Sequence, residues 1–234
     1  MNEHKKHDKD MQKEFKKHLD DAASTFKEIQ HPGKFNFKKE FMNALEILKL
    51  NEKTMHEIAR RKTTATAAFL FLLMGTVSMG LGMYFMLGSA WRPPVGHLLF
   101  SFVYYLVAMF LWIFATDFVA SQFFKGKGSF GELFRVIGYS YIIMIPYLLL
   151  AVAPGLLQLV SFVTGIWLLV VTYKIISVVK KLNPTHTIFT IIIVAVAFGI
   201  LSALLAQLGI GVVGYGYGAE INSLNEAMEA LSQL

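Results

Sequence analysis

Four charged side chains stand in or beside long apolar runs, where a charge is costly and is therefore a candidate for function. Asp117 and Lys174 lie near the ends of two runs, and Glu132 and Arg135 lie at the start of another. The chain order predicts that all four form a cluster at one rim of a membrane domain, with an Asp117–Lys174 ion pair as one arrangement. In the alternative, Lys174 extends its amine to the interface and Asp117 is solvated at the rim. No acid lies near the middle of a run, which argues against a proton relay.

Three motifs resemble metal or cofactor sites in their letters only. The segment 56–60 (HEIAR) begins like the zinc-protease helix motif but has an arginine where the second histidine must stand. The segment 209–214 (GIGVVG) matches a dinucleotide fingerprint, yet it closes an apolar run and does not join a strand to a helix. His4, His7 and His18 lie among charged residues without a recurring ligand spacing. We therefore predict a protein without catalytic residues, cofactors or bound metal, and not an enzyme.

Five apolar segments are the elements that must position the charged residues. Hydrophobic residues make up 55% of the chain and charged residues 16%, whereas soluble domains carry about a quarter charged residues. A helix that crosses the hydrocarbon core needs about 20 apolar residues, because its backbone amides must be satisfied internally. The sequence thus predicts an all-α, polytopic membrane protein. Its five predicted spans are residues 65–87, 96–120, 136–154, 156–179 and 187–213.

Positive charge falls on alternate sides of these spans. Basic residues precede the first span and fill the loops after the second and fourth spans. The loops on the other side carry one arginine, Arg92, and the C-terminal residues 214–234 carry no lysine or arginine. The positive-inside rule therefore predicts a cytoplasmic N-terminus and an extracytoplasmic C-terminus.

The polar regions outside the spans divide into three parts. Residues 1–34 alternate in charge sign, and we predict that they are mostly disordered or loosely helical. Residues 35–62 carry Phe, Ala and Leu at helical spacing, which predicts an amphipathic helix that lies on an anionic leaflet or docks against the bundle. A cytoplasmic partner is the alternative for that segment. Apolar residues at intervals of three and four predict a short outer helix within 214–234.

Small residues one helical turn apart allow membrane helices to approach closely. We expect such pairs to pack the five helices together, with oligomerisation as the alternative. Pro146 lies in the middle of the third span, where a missing backbone donor predicts a kink that is either ordinary bending or a hinge. The predicted packing residues are Ser78 with Gly82, Ser161 with Gly165, and Ala195 with Gly199 and Ala203.

The loop before the third span carries a family resemblance. A Gly-rich basic loop, then a turn with leucine and arginine and a Gly-Tyr pair, resembles the Yip domain family, whose eukaryotic members are known as YIPF or Ypt/Rab-interacting proteins. Trp167 and the basic loop at 180–181 add to the resemblance, which covers roughly residues 40–213. The matching residues are Gly126, Gly128, Phe130, Leu133, Arg135, Gly138 and Tyr139.

The resemblance implies a five-span protein with a cytosolic N-terminal arm. Eukaryotic relatives are associated with vesicle traffic between endoplasmic reticulum and Golgi, and they bind prenylated Rab-type GTPases and each other. The arm of this chain lacks their acidic Asp-Leu-Tyr-Gly-Pro-type segment, which weighs against a GTPase partner and makes the chain look closer to prokaryotic members. The implied location is the plasma membrane if the chain is prokaryotic, and the endoplasmic reticulum or Golgi if it is eukaryotic.

These observations predict a non-enzymatic membrane protein that organises or recruits partners at the cytoplasmic face, through residues 35–62 and the rim at 125–139. The expected partners are anionic lipids and a second copy or other membrane proteins. Nucleic acid is not expected, because the basic residues lie at membrane-facing loops. The alternative is a small-solute transporter, channel or lipid-moving protein, against which stand the odd number of spans and the absence of a visible inverted repeat.

Overall fold

The computed structural model describes residues 2–30, 36–86 and 95–207. Every regular element in these ranges is helical, which confirms the all-α prediction. Five of the helical stretches are long and apolar enough to cross a membrane, as predicted. The α-helices are α1 (Asn2–Gln30), α2 (Phe37–Leu48), α3 (Glu52–Arg60), α4 (Ala65–Met86), α5 (Val95–Phe124), α6 (Phe130–Ser140), α7 (Leu157–Lys180) and α8 (Pro184–Gln207). Three 3₁₀ segments, Lys62–Thr64, Tyr141–Ala151 and Pro154–Leu156, complete the described chain.

Residues 2–30 form the helix α1, whereas we predicted that residues 1–34 are mostly disordered or loosely helical. Over the residues whose side chains are described, α1 carries an apolar stripe that packs on the second half of α5. The Phe15 ring lies edge-on to Phe114 and Phe118, and the Phe26 ring lies 4.8 Å from Phe110. The disordered alternative does not hold for residues 2–30. Over residues 12–30 most of the charged side chains lie on the outer face of a helix whose inner face has an aromatic partner.

Residues 36–60 form two helices in place of one. Asn36 and Asn51 cap α2 and α3 by accepting backbone N–H groups of the first turn, and Leu50 adopts a positive φ of 64° at the turn between them. Both helices bury an apolar face against the bundle, chiefly against α6. Residues 36–60 are therefore docked on the membrane domain.

The third span changes its helical form at Tyr141, five residues before Pro146. The α-helix ends at Ser140, and the chain continues as a 3₁₀ segment through Pro146 to Ala151. This segment makes the most extensive contact in the fold, with α4. The close approach depends on two glycines, because a Cβ at Gly75 would lie 2.2 Å from the Tyr141 carbonyl oxygen and one at Gly82 would lie 1.9 Å from that of Tyr147.

Only part of the predicted small-residue packing occurs within the chain. Ser78 and Gly82 are buried against the third span, whereas Gly165 and Gly199 have open space where a Cβ would stand. Ala195 and Ala203 are likewise exposed. The prediction that these small residues pack the bundle was therefore wrong for Gly165, Ala195, Gly199 and Ala203. Ser161, by contrast, is half-buried and accepts the Tyr147 hydroxyl of the third span at 3.3 Å. The physical reason is that α7 and α8 contact their neighbours through larger residues, such as Val171, Val194 and the buried threonines. The GIGVVG segment and the tail 214–234 lie outside the described residues.

The exposed apolar surface shows how the spans are covered. We call the end of the bundle where α5 ends and α6 begins the arm side. On α5 the exposed apolar side chains run from Val95 to Leu111, with Phe123 beyond them, and on α7 they end at Leu169. The arm-side third of each helix is covered by α1 or α3. We call α1, α2 and α3 the collar, because they surround this end of the spans.

Candidate functional site: the buried charges beneath the collar

A buried ion pair joins the ends of α5 and α7. Asp117 and Lys180 are both fully buried, and the Lys180 ammonium donates to one oxygen of the Asp117 carboxylate. Nδ1 of His18, on α1, lies 2.5 Å from the other oxygen. Lys180 also donates to the Gly128 carbonyl oxygen at 2.7 Å, in a loop where Gly128 has a φ of +82°. The pair thus fixes two spans, the collar and the loop between α5 and α6 at one point.

Lys174 does not take part in this pair, so the predicted Asp117–Lys174 pairing was wrong. Six residues separate Lys174 from Lys180, which is about 9 Å along a helix and a different face. The Lys174 ammonium instead forms an ion pair with Glu52 at the start of α3. The hydrogen bond and charge of Lys174 lower the pKa of the Glu52 carboxyl, so this carboxyl is ionised at neutral pH. Lys174 therefore neither pairs with Asp117 nor extends alone to the interface.

Arg135 joins three elements inside the protein. Its Nε and Nη2 donate to the Ala59 carbonyl oxygen at 2.9 and 2.6 Å, and its Nη1 donates to Glu28 at 2.8 Å. Only 4% of Arg135 is exposed. The contacts tie α1 and the last turn of α3 to α6. The five donors of a guanidinium allow it to satisfy a helix-end carbonyl and a carboxylate together.

Glu132 has a local role at the start of α6. Its carboxylate accepts the Ser129 N–H, and the Ser129 hydroxyl accepts the Glu132 N–H, each at 3.3 Å. This reciprocal arrangement is a capping box. The four predicted rim residues thus lie at the arm side but do not form one cluster, because each has a different partner.

A second buried network holds α2 against α6. The Tyr139 hydroxyl donates to Glu40 at 2.6 Å, and the Arg61 guanidinium donates to both oxygens of the same carboxylate at 2.8 and 2.7 Å. Asn43 adds a third donor at 2.9 Å. Glu40 is 8% exposed, so its charge is balanced inside the protein. Sequence reasoning did not select Glu40 or Arg61.

Glu40 and His18 share one feature of their position in the sequence. Glu40 lies three residues after Phe37 and four before Ala44, and His18 lies three after Phe15 and four before Ala22. Each polar side chain therefore occupies a position on the apolar stripe of its helix, which indicates burial with a partner. The identity of the partners depends on contacts between residues 99 apart and is not visible in the local pattern.

The residues of the family motif build the loop and helix that hold these networks. The Gly126 N–H donates to Ala120, and a Cβ at Gly138 would lie 2.5 Å from the Ala68 carbonyl oxygen, so α6 crosses α4 closely. Phe130, Leu133 and Tyr139 are fully buried or nearly so. The motif is therefore a structural one: it shapes the loop that receives Lys180 and the helix that carries Arg135.

The charged side chains of this site hold structural elements together. The buried carboxylates and cations described above are paired with each other or with carbonyls, and His18 Nε2 is a buried polar atom left without a hydrogen-bond partner. Among the described residues no group of three or more His, Cys, Asp or Glu is placed to hold a metal ion. The arrangement fixes the collar to the spans.

A comparison of the chain with known protein families gave one match. The model of the Yip1 domain matches residues 45–206, more than two thirds of the chain. No curated protein and no solved structure gave a significant match. The matched range contains α3, all five candidate spans and the loop that holds Lys180. The chain is therefore an integral, multi-pass membrane protein and belongs to the Yip1 domain family.

Proposed function

We propose that the protein is a non-enzymatic membrane protein that presents its collar to a protein partner on the arm side, which the charge distribution predicts to be cytoplasmic. The observation that carries the proposal is the collar itself. Three buried contacts, Asp117 with His18, Arg135 with Glu28 and Tyr139 with Glu40, fix it to the spans. A surface fixed in this way is preorganised, which lowers the entropic cost of binding.

The outer face of α2 is the part of the collar best suited to contact a partner. Phe37 and Met42 are 50% and 49% exposed, and the neighbouring Lys38 and Lys39 are exposed as well. Apolar side chains at the centre of a polar surface are typical of protein interfaces. The family-motif residues between Gly126 and Tyr139, by contrast, make contacts inside the protein. We therefore assign the recruitment of a partner to α2.

Photo-crosslinking tests this assignment. A diazirine analogue of methionine would be placed at Met42, which is half exposed, or at Met55, which is 0% exposed, in the full-length protein in native membranes. We expect a discrete protein adduct from Met42 and only intramolecular products from Met55. Lipid adducts alone from Met42, or the same protein adducts from both positions, would contradict the assignment.

A transporter or lipid-moving function has less support. The charged side chains of the described spans all lie in their arm-side thirds, so no charged path crosses the described part of the bundle. One apolar cavity of about 210 Å³ lies between α4 and α5, lined by Thr76, Leu98 and Phe102 among others. A reproducible flux in proteoliposomes that Leu98→Trp blocks would favour this alternative.

A further inference from the structure

A small basic cavity lies where three segments meet on the arm side. It has a volume of about 190 Å³ and lies between the end of α3, the loop between α5 and α6, and the end of α7. We call it the basic pocket. Its basic lining residues are His56, Arg60, Lys127 and Lys181.

The pocket holds an excess of positive charge. Among the residues that the structure describes, Arg60, Lys127 and Lys181 form no ion pair, although the nearby Lys174 and Lys180 do. Glu132 is the single carboxylate of the lining, and it accepts the Ser129 N–H. Three cations thus face a cavity with one acid that already has a backbone donor.

The backbone at these cations is held in place. The Lys127 N–H donates to the Lys180 carbonyl oxygen at 2.8 Å, and Lys181 adopts a left-handed conformation with a φ of 54° directly after α7. Arg60 follows Ala59, whose carbonyl oxygen accepts two N–H groups of Arg135. The three side chains therefore start from fixed points around one cavity.

Helix dipoles explain only part of this arrangement. Arg60 and Lys181 lie at the ends of α3 and α7, where cations are favourable for the helix alone. Lys127 comes from a loop, so its convergence with the other two needs another reason. Lys and Arg are the usual partners of phosphate, which offers several acceptor oxygens and up to two negative charges.

We propose that the basic pocket binds a phosphate group, supplied by an anionic lipid headgroup or by a soluble phosphate compound. The pocket lies at the arm-side ends of α5 and α7, where a headgroup of the bilayer can reach it, and this location suits either source. Basic pockets between membrane helices are known to bind anionic headgroups in general. The inference does not depend on the recruitment of a protein partner.

The test is a thermal-shift titration of the full-length protein in neutral micelles. Phosphatidic acid, phosphatidylcholine and inorganic phosphate are the three probes. A ligand that binds only the folded state raises the unfolding temperature, and the rise increases with the logarithm of the ligand concentration once that exceeds Kd. We expect phosphatidic acid to stabilise the protein more than phosphatidylcholine. We expect the triple variant R60Q/K127Q/K181Q to lose affinity by roughly a hundredfold, at about 1 kcal/mol for each of the three cations.

Two matched variants keep the result specific. The variant K16Q/K27Q/K53Q removes the same charge from exposed positions of the collar and should bind like wild type. The variant R60K/K127R/K181R keeps the charge and should retain most of the affinity, which separates lost binding from lost folding.

Each outcome bears on the proposal. Stabilisation by phosphatidic acid alone assigns a lipid headgroup, and stabilisation by inorganic phosphate as well assigns a soluble phosphate compound. Equal losses in K16Q/K27Q/K53Q and R60Q/K127Q/K181Q would show diffuse attraction and overturn the proposal. So would the absence of any shift with both phosphate probes.

Discussion

At the scale of single residues, the Asp117–Lys180 pair is the most demanding feature of the molecule. Both side chains are fully buried, and removing one partner of such a pair costs about 3–5 kcal/mol, because it leaves an uncompensated charge. We expect Asp117→Asn and Lys180→Met each to lower the free energy of unfolding by about that amount. The double variant should lose less than the sum of the two, because it removes both charges together. Equilibrium unfolding in mixed micelles measures all three.

Lys174→Met is the matched control on the same helix. The Lys174 and Glu52 side chains are 32% and 56% exposed, and exposed ion pairs contribute less than about 1 kcal/mol. A loss from Lys174→Met as large as that from Lys180→Met would show that burial is not what makes the second pair important.

These residues also show which features of the site can be predicted from the sequence. It selected Asp117 and Lys174 as costly charges, because a charge in an apolar run is visible in the local pattern, and Asp117 is fully buried. The sequence suggested Lys174, and not Lys180, as a partner of Asp117. Lys180 lies at the end of its apolar run and therefore resembles a loop residue. Whether such a lysine is buried depends on α1 and the Gly128 loop, which are distant in sequence.

At the scale of elements, glycines decide how closely α4 and the third span pack. A Cβ at Gly82 would lie 1.9 Å from the Tyr147 carbonyl oxygen, a backbone atom that cannot move without displacing the segment. We expect Gly82→Ala to lower the free energy of unfolding by about 1–3 kcal/mol, as overpacking usually does. Thermal unfolding of the purified protein in detergent measures the change.

Gly165→Ala is the control in another span. No atom lies within 4 Å of a Cβ at Gly165, so this change should leave stability unaltered or raise it by up to about 1 kcal/mol through helix propensity. If both alanines destabilise the protein equally, the close contact seen at Gly82 is not the cause.

The elements were predictable to different degrees. The five spans follow from apolar length, which the bilayer thickness imposes on any sequence. The fold of α1 and the exposure of Gly199 on α8 were not predictable, because both depend on which neighbour covers a given helix face. A small-residue stripe is the same in sequence whether it faces a helix of the same chain or open surface.

At the scale of the whole molecule, the protein consists of a lipid-facing belt and a collar. The belt is the exposed apolar surface of α5, α7 and α8, and the collar covers the arm-side thirds of α5 and α7. The contacts of Asp117, Arg135 and Tyr139 with the collar are buried or partly buried, so the collar is fixed in one position relative to the membrane. A partner bound to the collar, or a phosphate bound in the basic pocket, would therefore be held at a defined height above the bilayer.

The side of the membrane on which the collar lies remains a prediction, and the absence of cysteine makes it directly testable. Lys53→Cys places a thiol on the exposed face of α3, and Val152→Cys places one at the opposite end of the bundle, where Val152 is 83% exposed. With the protein expressed in the plasma membrane of bacterial spheroplasts and a membrane-impermeant maleimide added, we expect Val152→Cys to react at once and Lys53→Cys only after permeabilisation, because positive loops are retained in the cytoplasm. The reverse pattern would place the collar and the basic pocket outside the cytoplasm, and a cytoplasmic partner could then reach neither.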